Sequence, residues 1–173
     1  MNVAEYQRIL TILGYSLGRC DGQAGAKTKE AVKKFQKDNG LVADAIVGAK
    51  TTAKLKERGE AYIKNFKDSE FACKCGCKSN KQLLSSKMIA QNVRSHFGRP
   101  TTVNSGTRCA KHNKACGGVA NSRHLLGKAT DLVVANVSGT TLLAYTKGLV
   151  ASGLARYTYR ISPTGNAVHI DIP

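Results

Sequence analysis

In the first third of the chain, apolar residues recur at helical spacing between turns that contain glycine. One such stretch precedes residue 14 and another follows residue 28. The apolar residues are Ile9, Leu10 and Leu13 in the first stretch and Ala31, Val32 and Phe35 in the second. Gly14, Gly22 and Gly40 separate the helical stretches, as turn residues do. The pattern predicts a small bundle of about three helices.

An internal repeat lies within the same stretch. Residues 21–28 and residues 44–51 both follow the pattern D-x-x-x-G-A-K-T. Asp and Gly favour a turn, and the closing Thr28 and Thr51 can each cap a helix. We therefore expect each repeat to be a turn that leads into a helix.

The remainder of the chain mixes helical and strand-like patterns. Residues 81–97 carry apolar positions at helical spacing, and residues 140–152 predict another helix. Gly98 and Pro100 end the first of these helices. Four short segments rich in β-branched residues predict strands at 102–104, 129–134, 156–161 and 167–172. Helices followed by short strands indicate an α+β fold with a small antiparallel sheet.

These patterns divide the chain into two domains. We predict a three-helix domain at residues 1–57, a polar linker at residues 58–69 and an α+β domain at residues 70–173. The second domain contains fourteen Lys and Arg but only three acids, which are Glu70, Asp131 and Asp171. Carboxylates that are so scarce are candidates for specific roles.

Composition and charge exclude several classes of protein. The chain has 173 residues, 42% of them hydrophobic, and a formal charge of +16, so it can bury a core and is not a disordered polyelectrolyte. No apolar run reaches the roughly 20 residues that span a bilayer, so we expect no stable membrane insertion. The N-terminus lacks a signal-peptide pattern, and we expect synthesis in the cytoplasm. The charge favours an anionic partner: nucleic acid, a membrane surface or an acidic wall polymer.

Histidines and acids of the second domain indicate a metal site. His124, Asp131 and His169 are of the types that bind zinc, and a catalytic zinc site typically has three protein ligands. Asp131 lies in the apolar segment ATDLVV, where a carboxylate is costly unless it is paired or bound to metal. His169 and Asp171 are two residues apart on a predicted strand, so they share a face. Each residue alone is commonly structural, but their conjunction favours a zinc site.

Residues 4–57 resemble the three-helix peptidoglycan-binding domain. The shared motifs are, in order, L-G-Y, D-G-x-x-G-x-x-T-x-x-A-V-x-x-F-Q, G-L and G-x-x-T. The chain departs from the family at Ala45, where glycine usually follows the second Asp. The resemblance implies that this domain binds bacterial peptidoglycan.

Nearly all of the second domain resembles the zinc D-Ala-D-Ala carboxypeptidase and endolysin peptidase family, of the M15 type. The motifs S-G-x-R, H-N, G-G-x-x-x-S-x-H-x-x-G-x-A-x-D and V-H-x-D are all present in order. The resemblance implies that His124, Asp131 and His169 bind Zn²⁺. It also implies a catalytic role for Arg108, in contact with a substrate carboxylate or carbonyl. Ser122 matches the family serine two residues before the first histidine, and we assign it to substrate binding.

The sequence offers two candidates for the general base. Some relatives have an acid three residues before the last zinc histidine, but this chain has Asn166 there, which cannot act as a base. The carboxylates that remain in the domain are Glu70 and Asp171. We favour Asp171 as the base, or as the group that orients the water or a zinc histidine; a purely structural role stays open.

The six cysteines fall into a close group of three, a pair around a histidine and a single residue. These are Cys73, Cys75 and Cys77, then Cys109 and Cys116 on either side of His112, and Cys20. C-x-C-x-C lacks the C-x-x-C spacing of common zinc modules, so we favour disulfides or free thiols over a second metal site. Six cysteines allow 15 pairings, and the sequence does not select one.

Together these features predict a bacterial cell-wall hydrolase of the phage endolysin type. It would act on the wall after release from the cytoplasm, and we expect a monomer. Zinc-activated water would cut a peptidoglycan stem peptide, at the terminal D-Ala-D-Ala bond or at an internal bond such as L-Ala-D-Glu.

Three alternatives remain. Asn166 favours a non-catalytic peptidoglycan-binding protein. A virion protein for wall penetration would share the same chemistry. A basic nucleic-acid-binding protein fits less well, because the six Tyr and four Phe are not interleaved with basic residues, so we expect no nucleic-acid partner.

Overall fold

The computed structural model describes residues 1–173 as six α-helices, two short 3-10 helices and one four-stranded sheet. The helices are α1 (Val3–Ile12), α2 (Ala26–Asp38), α3 (Ala49–Tyr62), α4 (Leu84–Phe97), α5 (Ala110–Ala115) and α6 (Gly139–Ala151). The 3-10 helices are Asp68–Phe71 and Arg123–Leu126, and the strands are β1 (Thr101–Ser105), β2 (Ala129–Val134), β3 (Tyr157–Arg160) and β4 (Val168–Asp171). The predicted α+β fold class is confirmed. No helix combines the length and apolar character that crossing a bilayer requires.

The sheet is antiparallel throughout and has the strand order β1-β2-β4-β3. Helix α4 packs against β2, and α6 packs against β3 and β4. The register pairs Asp131 of β2 with His169 of β4, and His169 with Tyr159 of β3. The backbone pairing therefore brings one predicted ligand directly opposite another.

The first of the two repeats is organised by a buried glutamine on α1. The side-chain amide nitrogen of Gln7 lies 3.0 Å from Asp21 Oδ1, the carbonyl oxygen of Gln23 and the hydroxyl of Thr28. Its amide oxygen accepts the backbone N–H of Gly22 at 2.7 Å. One side chain therefore joins four polar groups of the turn and of the helix that follows it.

The second repeat uses Gln36 on α2 in the same way. The amide nitrogen contacts Asp44 Oδ1, the carbonyl oxygen of Ile46 and the hydroxyl of Thr51 at 2.8, 3.0 and 3.1 Å. The amide oxygen accepts the backbone N–H of Ala45 at 2.9 Å. The sequence repeat thus corresponds to a repeated hydrogen-bond network.

The predicted threonine caps are wrong. Gly25 and Gly48, with extended backbones, occupy the N-cap positions of α2 and α3. Thr28 and Thr51 lie within the first turn of each helix, and each hydroxyl also lies 3.3 Å from a carbonyl oxygen of the preceding loop. The threonines therefore hold the loop to the helix rather than capping it.

Helix α3 crosses the predicted end of the first domain at residue 57 and continues to Tyr62. Both α1 and α3 pack against α4, so the two parts share one hydrophobic core. Gly59 on α3 permits this contact, because a Cβ there would lie 2.9 Å from Leu84 and 3.0 Å from Met88. Residues 58–69 are therefore partly helical, and the proposed domain limits stay a prediction.

Candidate zinc site and substrate cavity

Three buried side chains from different elements meet at the two central strands of the sheet. His124 lies in the second 3-10 helix, Asp131 in β2 and His169 in β4. His124 Nε2 lies 3.3 Å from His169 Nδ1 and 3.3 Å from Asp131 Oδ1. His169 Nδ1 lies 2.8 Å from the same carboxylate oxygen. The structure brings together all three residues that the sequence proposed as ligands.

The spacing of these atoms fits a tetrahedral zinc site. Ligands about 2.1 Å from a tetrahedral zinc ion are separated from one another by about 3.4 Å. The three ligand atoms are mutually 2.8 to 3.3 Å apart, and their chemistry is that of a hydrolytic zinc site. The set would need only a small expansion to hold the ion.

The other nitrogen of each histidine has an orienting partner. His124 Nδ1 lies 2.6 Å from the carbonyl oxygen of Gly106, and His169 Nε2 lies 3.5 Å from Asp171 Oδ2. Such contacts fix the tautomer and the ring orientation of a metal ligand. Gly106 can approach because a Cβ there would lie 2.4 Å from the carbonyl oxygen of Phe71, a contact that no other residue type tolerates.

Arg108 contacts the ligand set directly. Its Nη2 donates to Asp131 Oδ2 at 2.7 Å, and its Nε donates to Ser105 Oγ at 2.8 Å. The third nitrogen, Nη1, makes no hydrogen bond within the chain. Arg108 lines the cavity beside the ligands, so a fixed guanidinium offers one free nitrogen to a bound molecule.

Asp171 is buried behind His169 and is paired with an arginine. Arg156 donates Nε to Oδ1 at 2.8 Å and Nη2 to Oδ2 at 2.7 Å, which is a two-pronged contact. The carboxylate also faces His169 Nε2, the nitrogen on the side opposite the other ligands. These contacts match the orienting role proposed for Asp171 more closely than the role of a base.

The charges of the site shift the pKa values of its acids and of one histidine. Burial alone would raise the pKa of Asp131, but His124 and His169 hold that pKa well below its usual range. Burial also opposes ionisation of Asp171, yet His169 and Arg156 keep its pKa below the ordinary value. Burial would lower the pKa of His169, but contacts with Asp131 and Asp171 raise it.

A cavity of about 700 Å³ lies over the three ligands. Ser122, Arg123 and Arg156 line it together with Arg108, and Asp131 and Asp171 are its only carboxylates. Tyr157, Tyr159 and Ile161 of the β3 region expose their side chains along one wall.

Sequence reasoning missed Arg156 and the two tyrosines as site residues. The signal was the alternation in Tyr157-Thr-Tyr159, since alternate residues of a strand share a face. Only the pairing of β3 with β4 shows that this face borders the ligands, because Tyr159 lies opposite His169.

Two other residues considered from the sequence do not line the cavity. The carboxylate of Glu70 accepts the backbone N–H of Lys67 at 3.1 Å, in the first 3-10 helix. Asn166 Oδ1 accepts the backbone N–H of Gly139 at 3.0 Å, at the start of α6. Neither residue joins the ligand set.

The donor set and the cavity together define a zinc peptidase type of site. The family profile described as Peptidase M15 matches residues 64–171, and the profile described as putative peptidoglycan binding domain matches residues 2–55. The chain belongs to the Peptidase M15 family, and zinc is the metal of its site.

A named relative agrees with this identification. The zinc D-Ala-D-Ala carboxypeptidase of Streptomyces albus G is 36% identical over 124 residues, which are 65% of this chain and 49% of the relative. The chain thus spans about half the length of the curated relative that it matches.

Proposed function

We propose that the protein is a zinc metallopeptidase that hydrolyses the stem peptides of bacterial peptidoglycan and binds that polymer through its helical domain. The convergence of His124, Asp131 and His169 beneath a cavity carries the proposal. The match of residues 2–55 to a putative peptidoglycan-binding domain supports the choice of polymer.

The roles of the residues follow from their contacts. When bound, zinc polarises a carbonyl and lowers the pKa of a water molecule toward about 7. Arg108 would donate its free Nη1 to a carboxylate or carbonyl of the substrate, while its other nitrogens stay fixed by the protein. Asp171 would hold His169 in the orientation that zinc binding requires, through His169 Nε2.

The charges of the cavity support an anionic substrate. Its lining includes Arg108, Arg123 and Arg156, whereas Asp131 and Asp171 are both engaged by arginines. Stem peptides carry free carboxylates, which such a cavity attracts. We propose Ser122, which also lines the cavity, as a further contact to the substrate backbone.

We propose a phage endolysin as the biological setting, made in the cytoplasm and active on the wall after release. The combination of a wall-binding domain with a peptidase supports this. We also propose that the protein acts as a monomer and without a nucleic-acid partner. Asn166 lies outside the cavity, and the position at which some relatives have an acid holds none in this chain, so the non-catalytic alternative is the second outcome of the test below.

Mass spectrometry of fragments released from purified peptidoglycan tests the proposal. We expect chelator-sensitive release of D-Ala, or of a shortened stem with a new terminus, and the fragment identifies the bond. His124→Ala is the matched control and should release nothing while still sedimenting with the wall. If the unaltered protein sediments with walls of several chemotypes but releases no fragment, it is a binding protein and not a peptidase.

A further inference from the structure

Four cysteines that the zinc peptidase site does not use converge next to the loop that carries Arg108. Cys73, Cys75 and Cys77 follow the first 3-10 helix, and Cys109 immediately precedes α5. Their four sulfur atoms all lie within 4.8 Å of one another. The Sγ atoms of Cys73 and Cys75 are 3.4 Å apart, and those of Cys75 and Cys109 are 3.6 Å apart.

These separations match shared coordination of a metal ion. A disulfide requires a sulfur–sulfur distance of about 2.05 Å, and all six cysteines of the chain are free. Four thiolates about 2.3 Å from a tetrahedral zinc ion are separated by about 3.8 Å. We propose that Cys73, Cys75, Cys77 and Cys109 bind a second zinc ion, which has a structural role.

Hydrogen-bond donors already point at the sulfur atoms. The backbone N–H of Cys109 donates to Cys73 Sγ at 3.3 Å, and the backbone N–H of His112 donates to Cys109 Sγ at 3.4 Å. His112 Nδ1 also lies 3.6 Å from Cys73 Sγ. Donors of this kind stabilise the negative charge of metal-bound thiolates.

The local charge is also favourable to a thiolate site. Four thiolates around one Zn²⁺ carry a net charge of −2, and Lys74 lies between two of the cysteines in sequence. Lys111 lines the same surface depression as Cys75, Cys77 and Cys109. A set made of four sulfur ligands selects zinc or iron over calcium or magnesium, and we assign zinc.

The sequence favours disulfides or free thiols over a second metal site, and the zinc proposal departs from that preference because of the fold. C-x-C-x-C alone offers three ligands at an unusual spacing. The fourth ligand is distant in the chain, and the fold brings it to the group. Cys20 and Cys116 are not part of the cluster, so they provide controls within the same chain.

The second zinc ion would fix the position of Arg108, which immediately precedes Cys109. The loop is also held by the backbone N–H of Thr107, which donates to the carbonyl oxygen of Phe71 at 2.8 Å. Zinc would join the same two segments a few residues further along, so the guanidinium beside the catalytic ligands is supported from outside the cavity.

Metal analysis of the full chain, purified under reducing conditions, tests the proposal. Elemental analysis and native mass spectrometry should find two zinc ions per chain. Cys77→Ser should retain one, and Cys116→Ser should retain two. His124→Ala should also retain one zinc ion, the one bound by the cysteines, because this substitution removes the peptidase site. The two sites can therefore be lost independently.

Cobalt substitution tests the site without any cysteine variant, which guards against a variant that does not fold. Cobalt-loaded His124→Ala should show the intense near-ultraviolet absorption of cobalt–thiolate bonds. A single zinc ion in the unaltered chain, with all cysteines reactive toward a thiol reagent, would overturn the proposal. A mass lowered by two hydrogens per bond, which marks disulfides in the cluster, would overturn it as well.

Discussion

Asp171 and Arg156 form a two-pronged ion pair at 2.8 and 2.7 Å, and this pair lies directly behind His169, a proposed zinc ligand. The arginine occupies both carboxylate oxygens from one side, and His169 meets one of them from the other. The carboxylate is therefore held in a fixed direction relative to the histidine ring. Contacts behind a metal ligand influence how tightly the ion binds.

We expect Asp171→Asn to weaken zinc binding about 10- to 100-fold, because the charged partner of His169 is lost. Competition with a chromophoric chelator measures the affinity. Activity should recover substantially when zinc is added in excess. If zinc affinity is unchanged and activity is lost at saturating zinc, Asp171 acts as the base instead.

Arg156→Lys is the matched control for this prediction. It keeps the positive charge but cannot make two parallel hydrogen bonds. Zinc affinity should fall less than in Asp171→Asn. An equal or larger loss would mean that the arginine, rather than the carboxylate, governs the site.

Zinc affinity should begin to depend on pH at values higher than those at which an ordinary histidine titrates. Zinc must displace a proton from His169, and the neighbouring carboxylates raise the pKa of this histidine above its ordinary value of about 6.5. When the pH is lowered, protons compete with zinc for His169. The zinc affinity should therefore begin to decrease while the pH is still above about 6.5. Titrations at a series of pH values measure this. In Asp171→Asn, the loss of zinc affinity should begin at a lower pH. If it begins at the same pH, Asp171 is not a partner that raises the pKa of His169.

Glu5 on α1 caps helix α4. Its two carboxylate oxygens accept the backbone N–H and the hydroxyl of Ser85 at 3.0 and 2.6 Å, and it also pairs with the buried Arg8. Glu5→Ala should therefore lower the free energy of unfolding by about 3 kcal/mol, because it leaves a buried charge without its partner. Urea denaturation measures the change.

The exposed pair of Lys54 and Glu57 provides the control for that experiment. Glu57→Ala should change the free energy of unfolding by less than about 0.5 kcal/mol, because solvent screens the pair. Equal effects of the two substitutions would show that the Glu5 contact does not stabilise the protein.

The two repeats offer a symmetric test of backbone strain. Ala45 has φ of 65°, and the corresponding Gly22 has φ of 80°. Ala45→Gly should stabilise the protein by about 0.5 kcal/mol, since relief of the left-handed strain exceeds the added flexibility of the unfolded chain. Gly22→Ala should destabilise it by a similar amount. Thermal unfolding measures both changes, and a destabilising Ala45→Gly or a stabilising Gly22→Ala would refute the strain argument.

Local patterns predicted much of the fold. The strand at 129–134 coincides with β2, because its β-branched run has no competing helical period. The ligand set was also accessible, since Asp131 is an acid in an apolar strand. The order of the family motifs then linked Asp131 with His124 and His169 as a proposed ligand set.

Contacts between distant segments could not be predicted in this way. The sulfur cluster depends on Cys109, which the chain folds back to residues 73–77. The position of Tyr159 beside His169 depends on strand pairing, which a single strand pattern does not specify. Gly25 and Gly48 took the cap positions because backbone geometry, rather than hydroxyl chemistry, decided where α2 and α3 begin.

The continuous helix α3 and the contact of Glu5 with α4 bear on which bonds of a bound polymer the cavity could reach. Domains on a flexible linker explore a volume, so one attachment point serves many bonds. Here the linking helix is packed into a shared core, and this packing holds the helical domain at one position relative to the proposed catalytic cavity. If the proposed function holds, an enzyme built in this way would reach only the bonds at one distance from each attachment point, and the whole protein would have to move before the next cut.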